Sequence, residues 1–384
     1  MKKWLEVSLV GVTLAMLIVV ACAPQAKPVS PPPTAPATTA PVATQVPAAT
    51  PKAEDAAWAK VVEAAKKEGT VNVYSTTFSG DVGIAVSKAF KDRYGITIDA
   101  VVGKGTGFLE RIKIEKRIGK MVADMVEGGP VDIQAMEREK QLASTGDMLP
   151  VLREKGVWVM DPISYSPKEK TLILWRFNEQ PTFISTLMVK PGEAPNSWKD
   201  LLDPKWEGKM IVEDPLLGSF LYKAIVGLMD KKIWDEDYIK ALFRQKLRFP
   251  KAMPDAFRML STGEAYLLVQ GGDGPAAPFV MEGSPIQAID MREGMVLNGN
   301  PLAAVSGGPH PNATLLLINW LLSPEGQTAY GKTRGGRMMR SDVPDFRPPG
   351  SWVKMTNPIL LTLEQLDNAG KLYQERWLDK VVGR

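Results

Sequence analysis

The sequence predicts an α/β protein held behind an export leader, and three observations carry that reading. The first fifty residues have the layout of a secreted lipoprotein. From residue 55 on, apolar positions switch repeatedly between helical and strand spacing. After the leader, the chain of 384 residues still has length for two ordinary domains.

Lys2 and Lys3 precede an apolar run from Leu9 to Val20, and Val19-Val20-Ala21-Cys22 follows. A positive start, an apolar stretch too short to span hydrocarbon comfortably and a small residue before the cut define a signal peptide over residues 1–21. Val19 stands where a lipobox carries Leu, so an uncleaved signal anchor is the other reading of this stretch. Cys22 is the only cysteine, which rules out an intrachain disulfide and makes it the residue to be lipidated, with palmitate among the expected chains. Several acyl chains hold stably, because each buried methylene contributes about 0.8 kcal/mol. Residues 22–54 are rich in Pro, Ala and Thr with no aromatic residue. They read as an extended spacer of about 3.1 Å per residue. The protein is therefore expected outside the cytoplasmic membrane, lipid-anchored, facing the periplasm or the cell exterior.

Lys and Arg number 47 against 43 Asp and Glu, a formal charge of +4 that falls to +3 without the leader. No basic stripe with interleaved aromatics is present, so nucleic acid is not an expected partner. His310 is the only histidine, which leaves little room for transition-metal sites or nucleophilic triads. Bracketed by Pro309 and Pro311, it fits a helix entry better than a catalytic role, and no Gly-x-Ser-x-Gly elbow accompanies it.

The globular part opens with a helix over Ala56–Glu68, stopped by Gly69. Thr70–Tyr74 is a strand running into Ser75-Thr76-Thr77, and Val82, Ala85, Val86, Ala89 and Phe90 mark the next helix. Tyr94-Gly95 turns the chain into a strand over Ile96–Val102. This βαβ unit implies a parallel pair. Ligands of open α/β sheets sit outside the carboxyl ends of strands, so Ser75, Thr76 and Thr77 are candidate ligand contacts. Gly103-Lys104-Gly105-Thr106-Gly107 then leads into a helix over Phe108–Met121. It reads either as an anion site built by Lys104, Gly105 and Thr106 or as a plain glycine turn. Ala123–Val126 is a third strand, with Glu127 and Gly128 at its end. Farther on, Ser197–Pro204 reads as a short helix with Ser197 as N-cap and Asp200 completing a capping box. Trp198 and Trp206 read as packing residues, and Asn312–Leu322 as a broad-faced apolar helix ended by Ser323-Pro324.

In this order the segments resemble the extracellular solute-binding proteins of bacterial ABC importers, in the iron(III)-type branch. The resemblance is carried by Gly-Thr-Val-Asn-Val-Tyr-Ser (69–75), Ala89-Phe90 to Ile96, Ser197 to Lys209, Glu282 to Ile286, and His310-Pro311-Asn312-Ala313 leading to Trp320–Gln327. It implies a two-lobed, type II periplasmic-binding fold with a cleft between mixed sheets flanked by helices. Lobe one is expected over 55–187 plus 303–384 and lobe two over 188–302, with crossovers near Ser185–Val189 and Ala288–Ala304. It also implies reversible solute capture by a monomer, delivery to a permease driven by an ATPase, and no catalysis.

For lobe two, the resemblance directs attention to Asp214, Gly218 and Ser219 after the strand Lys209–Val212, and to Gly271, Gly272 and Asp273 after the strand Ala265–Val269. Asp214 reads equally as a turn residue. Ferric-binding relatives carry adjacent tyrosines at about this place. Here Gly271-Gly272-Asp273 stands instead, and none of the eight tyrosines neighbours another. No cofactor is expected. Fe(III) remains a candidate cargo, held by carboxylates, beside organic solutes such as phosphonates or polyamines for which the glycines leave room. A surface hydrolase using His310 or a carboxylate is the alternative reading, and the sequence does not place Arg176.

Overall fold

The computed structural model describes residues 53–384, apart from 191, 217–219, 353–354 and 384. The leader, Cys22 and most of the spacer lie outside the described residues, as do Gly218 and Ser219.

The first helix, α1 (Ala53–Glu68), delivers the chain to β1 (Thr70–Ser75), α2 (Gly80–Tyr94) and β2 (Thr97–Val102). β1 and β2 pair in parallel from Thr70↔Thr97 to Ser75↔Val102, the unit the periodicity predicts. Gly95 ends α2 at φ 78°, a left-handed turn that suits a residue without Cβ. α3 (Gly105–Arg117) starts within the glycine turn, earlier than the apolar pattern suggested. β3 (Met125–Glu127) lies parallel to β1 on its other side, so Glu127 is the last strand residue and not the first loop residue. α4 (Pro130–Arg138) and the two-residue β4 (Leu142–Ala143) follow.

The next strand, β5 (Ile173–Gln180), belongs to this first sheet, and after Pro181 the chain continues as β6 (Thr182–Ser185) in a second sheet. The sheet change at Pro181 comes ahead of the expected crossover at Ser185–Val189. Proline suits the position, because it removes a ladder donor where pairing must stop. The second sheet has the order β7 (Met210–Val212), β8 (Leu267–Val269), β6, β9 (Ile286–Ile289). α5 (Phe220–Asp230) and α6 (Glu236–Arg244) lie between its strands in sequence, and α7 (Met253–Ser261) and α8 (Asp273–Met281) pack on it. Residues 290–294 return the chain to β10 (Met295–Val305), which is buried along its whole length and pairs with β3, β4, β5 and β11 (Pro358–Leu360).

α9 (Pro311–Leu321) and α10 (Pro324–Arg334) cover the first sheet. Trp175 packs there between Phe78 (5.8 Å, edge-on) and Tyr330 (4.8 Å, tilted). Each such ring pair adds about 0.5–1.5 kcal/mol beyond area burial. The chain does not stay with this lobe. Trp352 sits edge-on to Phe183 of β6 at 5.1 Å. α11 (Leu363–Gln374) packs on α5, and α12 (Trp377–Val382) on α6. The last segment thus touches both sheets: β11 pairs with β10 and α11 also meets α4, while α12 packs on α6.

The remaining expectations hold locally. Ser197 accepts from Lys199 N in a capping box with Asp200, although the turn is a 3-10 helix. Trp198 and Trp206 are buried. Among the described residues, no helix is long and apolar enough to cross a membrane.

Candidate functional site

The ends of β1 and β3 lie side by side, with Ser75 opposite Glu127. Glu127 is fully buried, and a ring of donors converges on it. Ser75 Oγ donates to Oε2 at 2.7 Å, Thr76 N at 3.2 Å and Thr76 Oγ1 at 3.3 Å. Thr77 Oγ1 donates to Oε1 at 3.0 Å, and Arg176 Nη2 reaches the same oxygen at 3.2 Å. Arg176 Nη2 also donates to Thr77 Oγ1 at 2.8 Å. Ser75 Oγ in turn accepts from Thr77 N and Phe78 N, both at 2.9 Å, which fixes the turn after β1. Gly128 closes the group, since a Cβ there would come within 3.3 Å of Thr76 Cγ2.

A carboxylate offers about four lone-pair sites, so Glu127 is saturated by this shell and has none to spare for a metal. Ser75, Thr76, Thr77, Glu127 and Gly128 are therefore brought together as the sequence expected, but around Arg176, which it had not placed. A signal existed: Arg176, Asn178 and Gln180 share the period-two face that alternates with Trp175 and Phe177, the spacing of a strand with a polar side.

Lys104, Gly105 and Thr106 sit beside this group, because Gly103 N donates to Ser75 O at 3.2 Å. Lys104 and Thr106 are exposed. The place a Gly105 Cβ would take is filled by the Asp132 carboxylate, whose pKa is raised by burial. The start of α3 thus already faces an acid of the protein's own.

β10 continues the polar surface alongside β5. Asn300 pairs opposite Arg176 and Asn298 opposite Asn178, and the register slips between Asn300 and Pro301. Such a bulge bends a strand and re-aims its side chains. Arg176 Nη1 donates to Asn178 Oδ1 at 3.1 Å.

The lobe-two wall differs from the expected open, glycine-lined surface. A Cβ at Gly271 would lie 2.7 Å from Phe183 Cδ2, and one at Gly272 2.7 Å from Phe220 Cε1. These glycines admit aromatic rings from the protein itself, so they do not make room for a solute. Asp214 accepts from Leu216 N at 2.9 Å, the turn role. Its neighbour Glu213, with pKa raised by burial, accepts from Phe220 N at 2.7 Å and caps α5. Asp273, in the first turn of α8, is buried. Arg334, from the end of α10, reaches it at 3.5 Å. Burial raises the Asp273 pKa and Arg334 opposes the rise.

His310 sits at the entry of α9 as expected. Its backbone N donates to Asp124 Oδ1 at 2.7 Å, its Nδ1 lies 2.8 Å from Oδ2, and Asn72 N donates to the same Oδ2 at 2.8 Å. Asp124 thereby ties β1, the approach to β3 and α9 together. Among the described residues, no group of three or more His, Cys, Asp or Glu side chains is placed to hold a metal ion.

Two sheets flanked by helices, with the chain passing between them at Pro181 and again between β9 and β10, make up the α/β architecture that carries this polar group. The family model for bacterial extracellular solute-binding proteins matches residues 85–357, and the chain belongs to that family. A periplasmic protein of Salmonella typhi named for 2-aminoethylphosphonate binding is 28% identical over 66% of this chain and 73% of its own length. The periplasmic binding protein AfuA of Actinobacillus pleuropneumoniae, solved with fructose-6-phosphate, superimposes with a TM-score of 0.58 at 19% identity, over 82% of this chain and 98% of that one. Iron-bound HitA of Pseudomonas aeruginosa gives 0.59 at 19% identity, over 80% and 98%. The fold is that of the type II periplasmic binding proteins, and the function is solute binding for an ABC importer.

Proposed function

We propose that this chain is the lipid-anchored receptor of an ABC importer for a small organic anion of the phosphonate or phosphate type, and not for ferric iron. The carrying observation is a pair of buried guanidinium donors, Arg176 Nε and Arg334 Nη1, that find no acceptor within the protein. Arginine donors at a junction between lobes suit an oxyanion. A polyamine, bearing only positive charge, fits poorly against them. Iron is disfavoured by the saturated shell of Glu127 and by Gly271-Gly272 where ferric-binding relatives carry tyrosines.

In this reading Cys22 anchors the chain, the Pro-rich segment spaces the lobes from the bilayer, and a permease reads the closed form. Calorimetry on the full chain in mild detergent tests the assignment. Methylphosphonate and fructose-6-phosphate are expected to bind, and ferric citrate is not. Binding of ferric iron without any organic anion reverses the proposal.

A further inference from the structure

The polar face of β5 runs on past Arg176 to the point where the chain changes lobes. Arg176, Asn178 and Gln180 share that face, and four residues of strand span about 13 Å. Beyond Gln180, Pro181 O accepts from Gly271 N at 2.9 Å, which sets Gln270 next to the crossover. Gln180 and Gln270 are both 0% exposed. Neither the Nε2 nor the Oε1 of either residue makes a hydrogen bond within the protein, and the Oδ1 of Asn298 on the adjoining strand makes none either.

Buried amides are ordinarily satisfied, so this concentration at the lobe junction calls for an account. Gln270 adds a second, independent observation. Its φ is 58°, and the other non-glycine residues with positive φ among those described, Lys140, Lys170, Lys232, Lys246 and Arg376, are exposed or half-buried. A buried side chain held in the left-handed region where glycine fits without strain marks a position kept for its functional group.

We infer that Gln180, Gln270 and Asn298 form an amide track that reads hydroxyl groups on the uncharged portion of the solute. This rests on the anion-receptor reading for the charged end at Arg176 and names what the remainder of the molecule is. An amide presents both donors and acceptors, as a hydroxyl does, whereas an ammonium group only donates and leaves the amide N–H groups unmatched. The solute is therefore a hydroxylated phospho-compound, and a bare phosphonate or aminoalkylphosphonate is the poorer ligand.

The test measures binding of fructose-6-phosphate, 2-aminoethylphosphonate, methylphosphonate and sorbitol to the full chain in detergent, together with melting of the ligand-free protein. Fructose-6-phosphate is expected to bind at least tenfold more tightly than methylphosphonate or 2-aminoethylphosphonate. Gln180→Leu and Gln270→Gly should each erase that advantage while leaving methylphosphonate unchanged. Ligand-free Gln270→Gly should melt above the wild type, because the strain is removed and no internal hydrogen bond is lost; ligand-free Gln180→Leu should melt no lower than the wild type. A lower melting temperature in either variant, or an advantage for 2-aminoethylphosphonate, overturns the track. Binding of sorbitol with none of the phospho-compounds removes the anion reading and leaves the track standing; binding of none of the four removes the track.

Discussion

Arg334 and Asp273 meet with Nη2 3.5 Å from Oδ1, one at the end of α10 and the other at the start of α8. Gly274 permits the approach, since a Cβ there would come 2.7 Å from the same nitrogen. The pair thus links helices of the two lobes as a charged latch.

Removing one side of the latch leaves a buried partner uncompensated, which costs about 3–5 kcal/mol where the group cannot escape to water. Opening lets it escape. Arg334→Ala is therefore expected to favour the open form, seen as a larger radius of gyration by small-angle scattering in the absence of ligand. An unchanged radius means that the pair does not hold the lobes.

Glu127 anchors the first-lobe side. Glu127→Ala should destabilise the chain by about 3–5 kcal/mol, because Arg176 loses its carboxylate. Ser75→Ala, which removes one hydrogen bond, should cost about 1 kcal/mol. Urea denaturation measures both, and equal losses contradict the hierarchy.

Gly271→Ala separates a filled wall from an open one. With Phe183 and Leu268 already at the Cβ position, about 1–3 kcal/mol of overpacking is expected. Wild-type stability in thermal melts would mean the glycine faces open space.

Asp132 gives a pH signature. Its pKa is raised by burial. Its contribution is thus fully present below the unfolded value and is lost as pH rises through the folded value, at about 1.4 kcal/mol per unit of displacement. Asp132→Asn should be more stable than the wild type at neutral pH, and the difference should vanish in acid. Melts across that range check the sign.

Cys22→Ser is expected to move the protein from the membrane fraction to the soluble fraction. Retention in the membrane supports an uncleaved signal anchor instead.

The βαβ opening and the Ser75 to Thr77 turn were legible because a helix face and a strand alternation repeat over short distances. Arg176 was harder to place, since β5 pairs with β10, far away in sequence, and polar residues mix with apolar ones along its run. The return of the final helices to α5 and α6 depends on packing between distant segments, which local periodicity does not encode. At Gly271 and Gly272 the sequence showed small residues, but only the fold shows that Phe183 and Phe220 occupy the space.

Pro181 gives the lobe junction a fixed side. Its carbonyl is tied to Gly271 in the second lobe, and its ring holds φ and offers no N–H. Gln180, the residue before it, therefore stands at one of the two places where the chain passes between the sheets. A molecule docked there would touch a segment that belongs to both lobes at once, so its grip on either one would be felt by the other.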